Sequence, residues 1–373
     1  MTTILACGDV GVSRPDCASI FAGCAPTLRS ADICFAQLET TIADRGAKAP
    51  NARLAMRAPP RMAAAAKSAG IGVMSFAGNH CLDYGYEAFA DTLQHTAAAG
   101  IAICGAGTTI DAARRPALLE VSGIRVALLA RSSILPEGYM AEADKAGCAP
   151  LRAHTVYEQI ERDQPGTPAR VKTFADRDDL ASLLQDIRSA RTAADVVLVS
   201  LHWGIHMVPT LLADYQIEVA HAAIDAGADA ILGHHPHLLK GVEVRRGRPI
   251  FYSLGNFAIE QPHVWDPGIV NSASFRHLIS LNPNWRLDQV YMLPHVTRMT
   301  GIAKLIRLAN GEWDMRFLPA WIGDDSVPQL LGPADPRFSE VAEFIARSSR
   351  EAGLTTDFIQ DGSELAIRPL STQ

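Results

Sequence analysis

The sequence predicts an α/β protein with a mainly parallel sheet under helices and a mostly antiparallel second sheet packed on the first, within one domain. Three observations carry that prediction. Short apolar runs alternate with helix-patterned stretches over the first two-thirds of the chain. Gly70, Gly100 and Gly227 stand where helix C-caps belong. From about Gly241 onward that alternation gives way to paired short runs around turn residues.

In chain order, strands are expected at 3–7, 32–38, 72–77, 101–104, 124–131, 195–201 and 229–232, each a short run rich in Val, Ile, Leu or Cys. Helices are expected at 61–69, 84–99, 177–193 and 211–226, where apolar residues recur at helical spacing. Runs 242–246 and 249–253 flank Arg-Gly-Arg and read as a hairpin. Strands at 290–297, 301–308 and 313–318 follow, the last two joined at Asn310-Gly311, a strong tight-turn pair. A helix at 339–351 precedes a polar tail. Two stretches, 132–172 and 259–284, are rich in Pro, Gly or charge and read as long irregular loops, a length usually tied to function. Gly105-Ala106-Gly107 lacks the third glycine and following helix of a phosphate loop and reads as a turn.

Composition narrows the classes of function. Of 373 residues, 48% are apolar and 20% charged, as in ordinary globular proteins, so a disordered or fibrous chain is excluded. The net charge of −6, without a Lys/Arg block, excludes nucleic acid and anionic membrane as expected partners. No apolar run reaches the ~18 residues of a membrane span, and the first residues lack the pattern of a secretory signal. The seven cysteines (7, 17, 24, 34, 81, 104 and 148) include no CxxC pair and are expected to be reduced and buried, which places the chain in the cytoplasm.

Ligands of doubly wound proteins bind beyond the carboxyl ends of the strands. Five such ends carry oxygen or imidazole groups here. Asp9 follows the first strand, Glu39 the second, and Asn79-His80 the third. His202 ends a later strand, and His234-His235-Pro236-His237 another. Singly, each has an ordinary role as a turn, cap or interior residue. Together they require five coincidences of type and position. Carboxylate, amide oxygen and imidazole without thiolate suit Mn, Fe or Zn in a catalytic rather than a structural site. The set exceeds the needs of one four-coordinate ion; two divalent ions sharing a carboxylate would use it and hold a hydroxide as nucleophile. His80 would then be free to protonate a leaving group. Arg53 and Arg57, on the same side, suit a substrate carboxylate or phosphate, or a solvated loop.

The ordered motifs Gly8-Asp9, Leu38-Glu39, Asn79-His80 with Asp83-Tyr84-Gly85, His202-Trp203-Gly204, Gly233-His234-His235-Pro236-His237 and Tyr252–Phe257 resemble the CapA family over residues 3–257. These are capsule (poly-γ-glutamate) synthesis proteins, a branch of the calcineurin-like metallophosphoesterases. The resemblance implies a four-layer αββα sandwich, with residues 258–373 completing the second sheet of a single domain. It also implies a dinuclear centre. Asp9 and His237 would bind the first metal, Glu39 would bridge, and Asn79, His202 and His235 would bind the second. His80 would act as acid, oriented by Asp83.

Departures from the family pattern include Gln37 for Asn and Gly78-Asn79-His80 for Asn-Asn-His. His206 replaces the glutamate of Trp-Gly-x-Glu, so it joins Arg53, Arg57 and Asn256 as a candidate substrate contact. The phosphoesterase Asp-x-His is Asp9-Val10-Gly11, which removes one imidazole from the first metal. The expected function is a soluble metal-dependent hydrolase of an amide- or imide-type bond in a small substrate. A phosphomonoesterase or phosphodiesterase is the alternative, and a non-catalytic component of capsule synthesis a third reading.

Overall fold

The computed structural model describes residues 1–260, 268–287 and 291–370. In chain order its principal elements begin with β1 (Thr2–Gly11), β2 (Ile33–Leu38), α1 (Arg61–Ala69), β3 (Val73–Ser75), α2 (Gly85–Ala98) and β4 (Ala102–Cys104). Next come β5 (Ala117–Val121), β6 (Ile124–Ser132), β7 (Ala153–Glu158), β8 (Arg170–Ala175), α3 (Arg177–Ala193), β9 (Val196–His202), α4 (Asp214–Ala226) and β10 (Ala230–His234). The chain continues with β11 (Val242–Arg245), β12 (Arg248–Phe251), β13 (Asn256–Ile259) and α5 (Ala273–Leu281). It closes with β14 (Met299–Arg307), β15 (Trp313–Ile322), α6 (Pro336–Glu351), β16 (Thr356–Asp361) and β17 (Glu364–Pro369).

Two large sheets face each other. The first runs β16-β17-β15-β14-β1-β2-β3-β4, and the second β11-β12-β10-β9-β6-β5. Alternation along the second sheet shows why it is sandwiched. Val126, Leu128, Val196, Leu198, Ala230 and Leu232 join one apolar cluster with Ile4, Phe35 and Val73 of the first sheet. The intervening Ala127, Leu129, Val197, Val199 and Ile231 pack with Leu183 and Ile187 of α3 and with Val219 and Ala223 of α4. Both faces are therefore buried, as parallel strands require. On the far side of the first sheet, α2 packs through Phe89, whose ring stacks 5.5 Å from that of Phe76. The result is four layers: helix, sheet, sheet, helix.

Local chemistry sets the helix ends. Asp176 caps α3, its carboxylate accepting from the amides of Asp178 and Asp179. Both α1 and α4 stop at glycines with left-handed φ, Gly70 at +116° and Gly227 at +118°.

The structure corrects several sequence expectations. The parallel strands do not share one sheet, and the carboxy-terminal strands do not complete the second. Instead β14 pairs antiparallel with β1, so the C-terminal strands extend the first sheet. The second sheet is built from β6, β9 and β10, with the β11–β12 hairpin joined through a parallel β10–β12 pairing. The strand expected at 290–297 is absent over the described residues: Pro294 precedes a 3₁₀ turn, His295–Arg298, and Val290 lies outside them. The stretch 132–172 contributes to the β7–β8 hairpin. Within 259–284, residues 261–267 lie outside the described residues, and α5 occupies 273–281. The polar tail folds into the β16–β17 hairpin. The Gly105–Gly107 turn is partly strand, with Ala106–Gly107 pairing to Gly147–Cys148. All seven cysteines are buried and free.

Candidate metal centre

The site forms where strand ends from both sheets meet. Asp9 sits in β1, in register with Gln37 of β2 and Asn256 of β13. Glycine at position 8 makes this possible, because a Cβ there would stand 2.1 Å from the Gly255 carbonyl oxygen. From the second sheet, His202 of β9 and His234 of β10 are direct parallel neighbours. The chain then turns sharply through His235 and His237, whose φ values of +93° and +58° are strained for non-glycine residues.

Asp9, Glu39 and His202 each bring one ligand atom within 4.8 Å of the other two, and all three are buried. Asp9 Oδ1 lies 3.1 Å from His234 Nδ1, and Oδ2 lies 3.3 Å from His237 Nδ1. Glu39 Oε1 is 3.6 Å from His202 Nε2 and 3.9 Å from His80 Nε2. Asn79 Oδ1 lies 2.8 Å from His202 Nε2. The rings of His202 and His235 are 5.0 Å apart, and His206 lies 5.2 Å from both His235 and His237.

Several polar atoms of these groups are left without a partner. Both oxygens of Glu39, His202 Nδ1, His234 Nε2 and His235 Nδ1 are buried without a hydrogen-bond partner among the described residues. An orphaned buried polar atom costs roughly 1–3 kcal/mol, and charged ones more. A cluster of buried carboxylates and imidazoles with such orphaned atoms fits a divalent cation by its donor chemistry.

The electrostatics follow from burial. Burial, and then the charge of Asp9, pushes the Glu39 carboxyl up to about 7. Burial alone would raise Asp9 too, but hydrogen bonds from His234 and His237 hold it well below the usual carboxylate range. His202 and His235 are pulled well below the ordinary imidazole value, chiefly by burial, and so stay neutral with a lone pair to donate. His80 goes the other way. Burial would lower it, yet the charge and hydrogen bond of Asp83 raise it to about 9. Asp83 Oδ2 lies 2.6 Å from His80 Nδ1 and accepts from the Met56 amide at 2.7 Å, while its Oδ1 accepts from the Tyr139 hydroxyl at 3.5 Å.

Of the residues singled out from the sequence, Asp9, Glu39, Asn79, His80, Asp83, His202, His206, His235 and His237 gather in one place. Arg53 lines the adjoining cavity with His206. Arg57 does not. Its guanidinium lies 4.3 Å over the Tyr84 ring and donates to the Gly46 carbonyl, outside the cavity lining. Asn256 is fully buried behind His237, 2.8 Å from its Nδ1, which makes it a support for that ring rather than a substrate contact. His234, outside the expected ligand set, touches Asp9. Three histidines in four residues were the available signal. Lys240 and Tyr139 carried no such signal.

The profile of the family described as "Bacterial capsule synthesis protein PGA_cap" matches residues 3–261. The chain belongs to that family. Among curated members, a "Probable polyglutamine synthesis accessory protein" of Mycobacterium tuberculosis is 34% identical over 254 residues, covering 67% of this chain and 60% of that protein. The "PGA biosynthesis protein CapA" of Bacillus subtilis is 29% identical over 245 residues, covering 65% and 57%. This PGA_cap member thus spans about three-fifths of the length of the curated relatives it matches. A calcineurin-like phosphoesterase from Bacillus subtilis superposes with a TM-score of 0.38 at 13% identity, over 94% of this chain and 97% of that one. The PGA_cap match contains every candidate ligand and ends just beyond β13; α5 and everything after it lie outside.

Proposed function

We propose that the chain is a divalent-metal-dependent hydrolase that cleaves an amide- or imide-type bond in a small substrate. One observation carries the reading: buried carboxylate and imidazole groups from both sheets, several of them with unpartnered polar atoms, gather beside a cavity of about 370 Å³. Asp9, Glu39, Asn79, His202, His235 and His237 would hold two cations, with His234 supporting Asp9. When bound, such ions supply Lewis acidity and make water a competent nucleophile near neutral pH. The chain's own residues do the rest. His80 lines the cavity and holds a proton on the ring that faces Glu39, where a leaving group can take it. Asp83, pinned by the Met56 amide, keeps that ring oriented and charged. The half-buried His206 closes the cavity floor beside His235 and His237.

Phosphoester cleavage is the second reading, favoured by Gly78-Asn79-His80. A Cβ at position 78 would stand 3.2 Å from Gln37 Nε2, so the glycine leaves room for that longer amide. One experiment separates the two. Metal content is measured first. The loaded protein is then incubated with aryl phosphates, phosphodiesters, γ-glutamyl amides and cyclic amides. Turnover of amides alone supports the first reading and turnover of phosphoesters alone the second. His80→Ala is expected to keep its metal and lose turnover; a chain that binds no metal and turns over nothing is not a hydrolase.

A further inference from the structure

The cavity beside the metal centre has two unlike sides. One side is polar: Asn79, His80, Asp83, His206, His235 and His237. One wall is an apolar cluster separate from the main core, in which Met207, Phe275 and Trp285 are buried against Leu278 and Leu293. The Phe275 and Trp285 rings lie 5.2 Å apart at 46°. This wall is braced in place. The Asn282 side chain at the end of α5 donates to the Met207 carbonyl at 3.2 Å, and Trp285 Nε1 donates to the Met292 carbonyl at 2.6 Å. The exposed Arg53 also lines the cavity; it is the only Arg or Lys to do so among the described residues, and no ion pair of Arg53 occurs among them. The Phe275–Trp285 wall also lies beyond the family-matched residues 3–261.

We infer that this site takes a small amphipathic acid, with an aromatic or branched apolar body against Met207, Phe275 and Trp285 and a single anionic group facing Arg53. Away from His80 and the metal centre the cavity supplies one guanidinium, so a chain carrying a carboxylate on every residue fits poorly: the apolar wall offers the charges laid along it no hydrogen bonds. The cavity volume falls within the range of about 300–1,000 Å³ usual for small-ligand sites. The inference deepens the proposed hydrolytic reading by naming the substrate class, but the ligand chemistry stands on the cavity itself.

Binding and turnover are therefore measured separately. N-benzoylglycine, N-benzoylglycinamide and a γ-glutamyl trimer are titrated against the full chain, with Trp285 fluorescence as the readout and Trp285→Phe as the signal control. N-benzoylglycine is expected to bind at least about tenfold more tightly than the neutral amide or the trimer, the scale of one charge-assisted pair. Arg53→Gln should erase its advantage over the neutral amide, and Phe275→Ala should weaken both benzoyl ligands alike. Should Phe275→Ala fail to fold by circular dichroism, Phe275→Leu gives the same reading through loss of the ring. Tightest binding by the trimer, no binding by N-benzoylglycine, or an unchanged affinity in Arg53→Gln overturns the inference. Binding of N-benzoylglycine as expected, with no hydrolysis of any N-acyl compound by the metal-loaded chain, leaves the pocket assignment standing and sinks the amide-hydrolase reading instead.

Discussion

At the scale of single residues, the His80–Asp83 pair decides how the proposed chemistry ends. A buried imidazole left alone would be neutral; this one stays protonated because Asp83 sits 2.6 Å away. Asp83→Asn removes the charge while keeping a hydrogen-bonding group. In metal-free protein, NMR titration of His80 should then show its pKa fall from about 9 to the ordinary ~6.5 or below. Turnover of the metal-loaded variant should drop about 10- to 100-fold, the usual loss when a supporting carboxylate is removed. An unshifted pKa would mean that Asp83 does not set the proton. Much of this was legible in the sequence, because motif residues at strand ends keep their order whatever the sheet arrangement. The ligand-bearing positions were readable for that reason. The exact partner of each was not: Asn256 and Arg57 lie near the site in sequence pattern, yet one is walled off behind His237 and the other is drawn away by the Tyr84 ring.

At the scale of elements, the loop after β9 shows how a segment without regular structure is held. Lys240 is fully buried and donates to the carbonyls of Val208 and Leu211, the latter at 2.9 Å, fastening the loop that carries His206 and Met207. Burial pulls the lysine down to about 7, and even the neutral amine retains two N–H groups for two carbonyls. Lys240→Met keeps the volume but orphans both carbonyls. Urea denaturation should show a loss of about 1–3 kcal/mol, with a raised KM from a loosened His206–Met207 segment and unchanged metal content. Unaltered stability would show that the loop is held by its other contacts. No sequence pattern announces such a clamp, since one lysine near a histidine cluster looks like a surface residue. The missed hairpins have a related cause. The β16 segment Thr356–Asp361 is mostly exposed and polar, so it lacks the apolar alternation that marks a strand and is defined by its pairing with β17. Helix α5 hides between Pro262, Pro267 and Pro283, whose punctuation reads as loop although Ser272 caps a helix there.

At the scale of the molecule, the centre is a seam between two sheets. Asp9, Glu39 and Asn79 come from strands of the first sheet or the turns after them, and His202, His235 and His237 from the second. Sequence periodicity could not divide the parallel strands between the sheets, because runs buried on both faces look alike in either. Because of that division, cations held as proposed would act as a clamp on the fold. Binding only the folded state at 100 times Kd contributes about 2.7 kcal/mol. The pH dependence follows in sign. In the metal-free chain, Glu39 near 7 keeps a proton that the unfolded chain has lost, so stability falls as pH rises from the ordinary carboxyl value to about 7. His80 near 9 contributes stability that is complete below the ordinary ~6.5 and lost as pH rises through about 9. The depressed His202 and His235 oppose this trend only below that ordinary value. Lys240, lowered to about 7, makes stability rise with pH above that point, but equally with and without metal. Cations bound as proposed would favour the ionised Glu39 and neutral imidazoles, so their grip would tighten as pH rises. Thermal melts with and without a chelator should therefore differ by more degrees at pH 9 than at pH 6.5, and Glu39→Gln should flatten that difference. A chelator-induced shift that is the same at both pH values, or none at either, would show that these side chains do not bind a cation together.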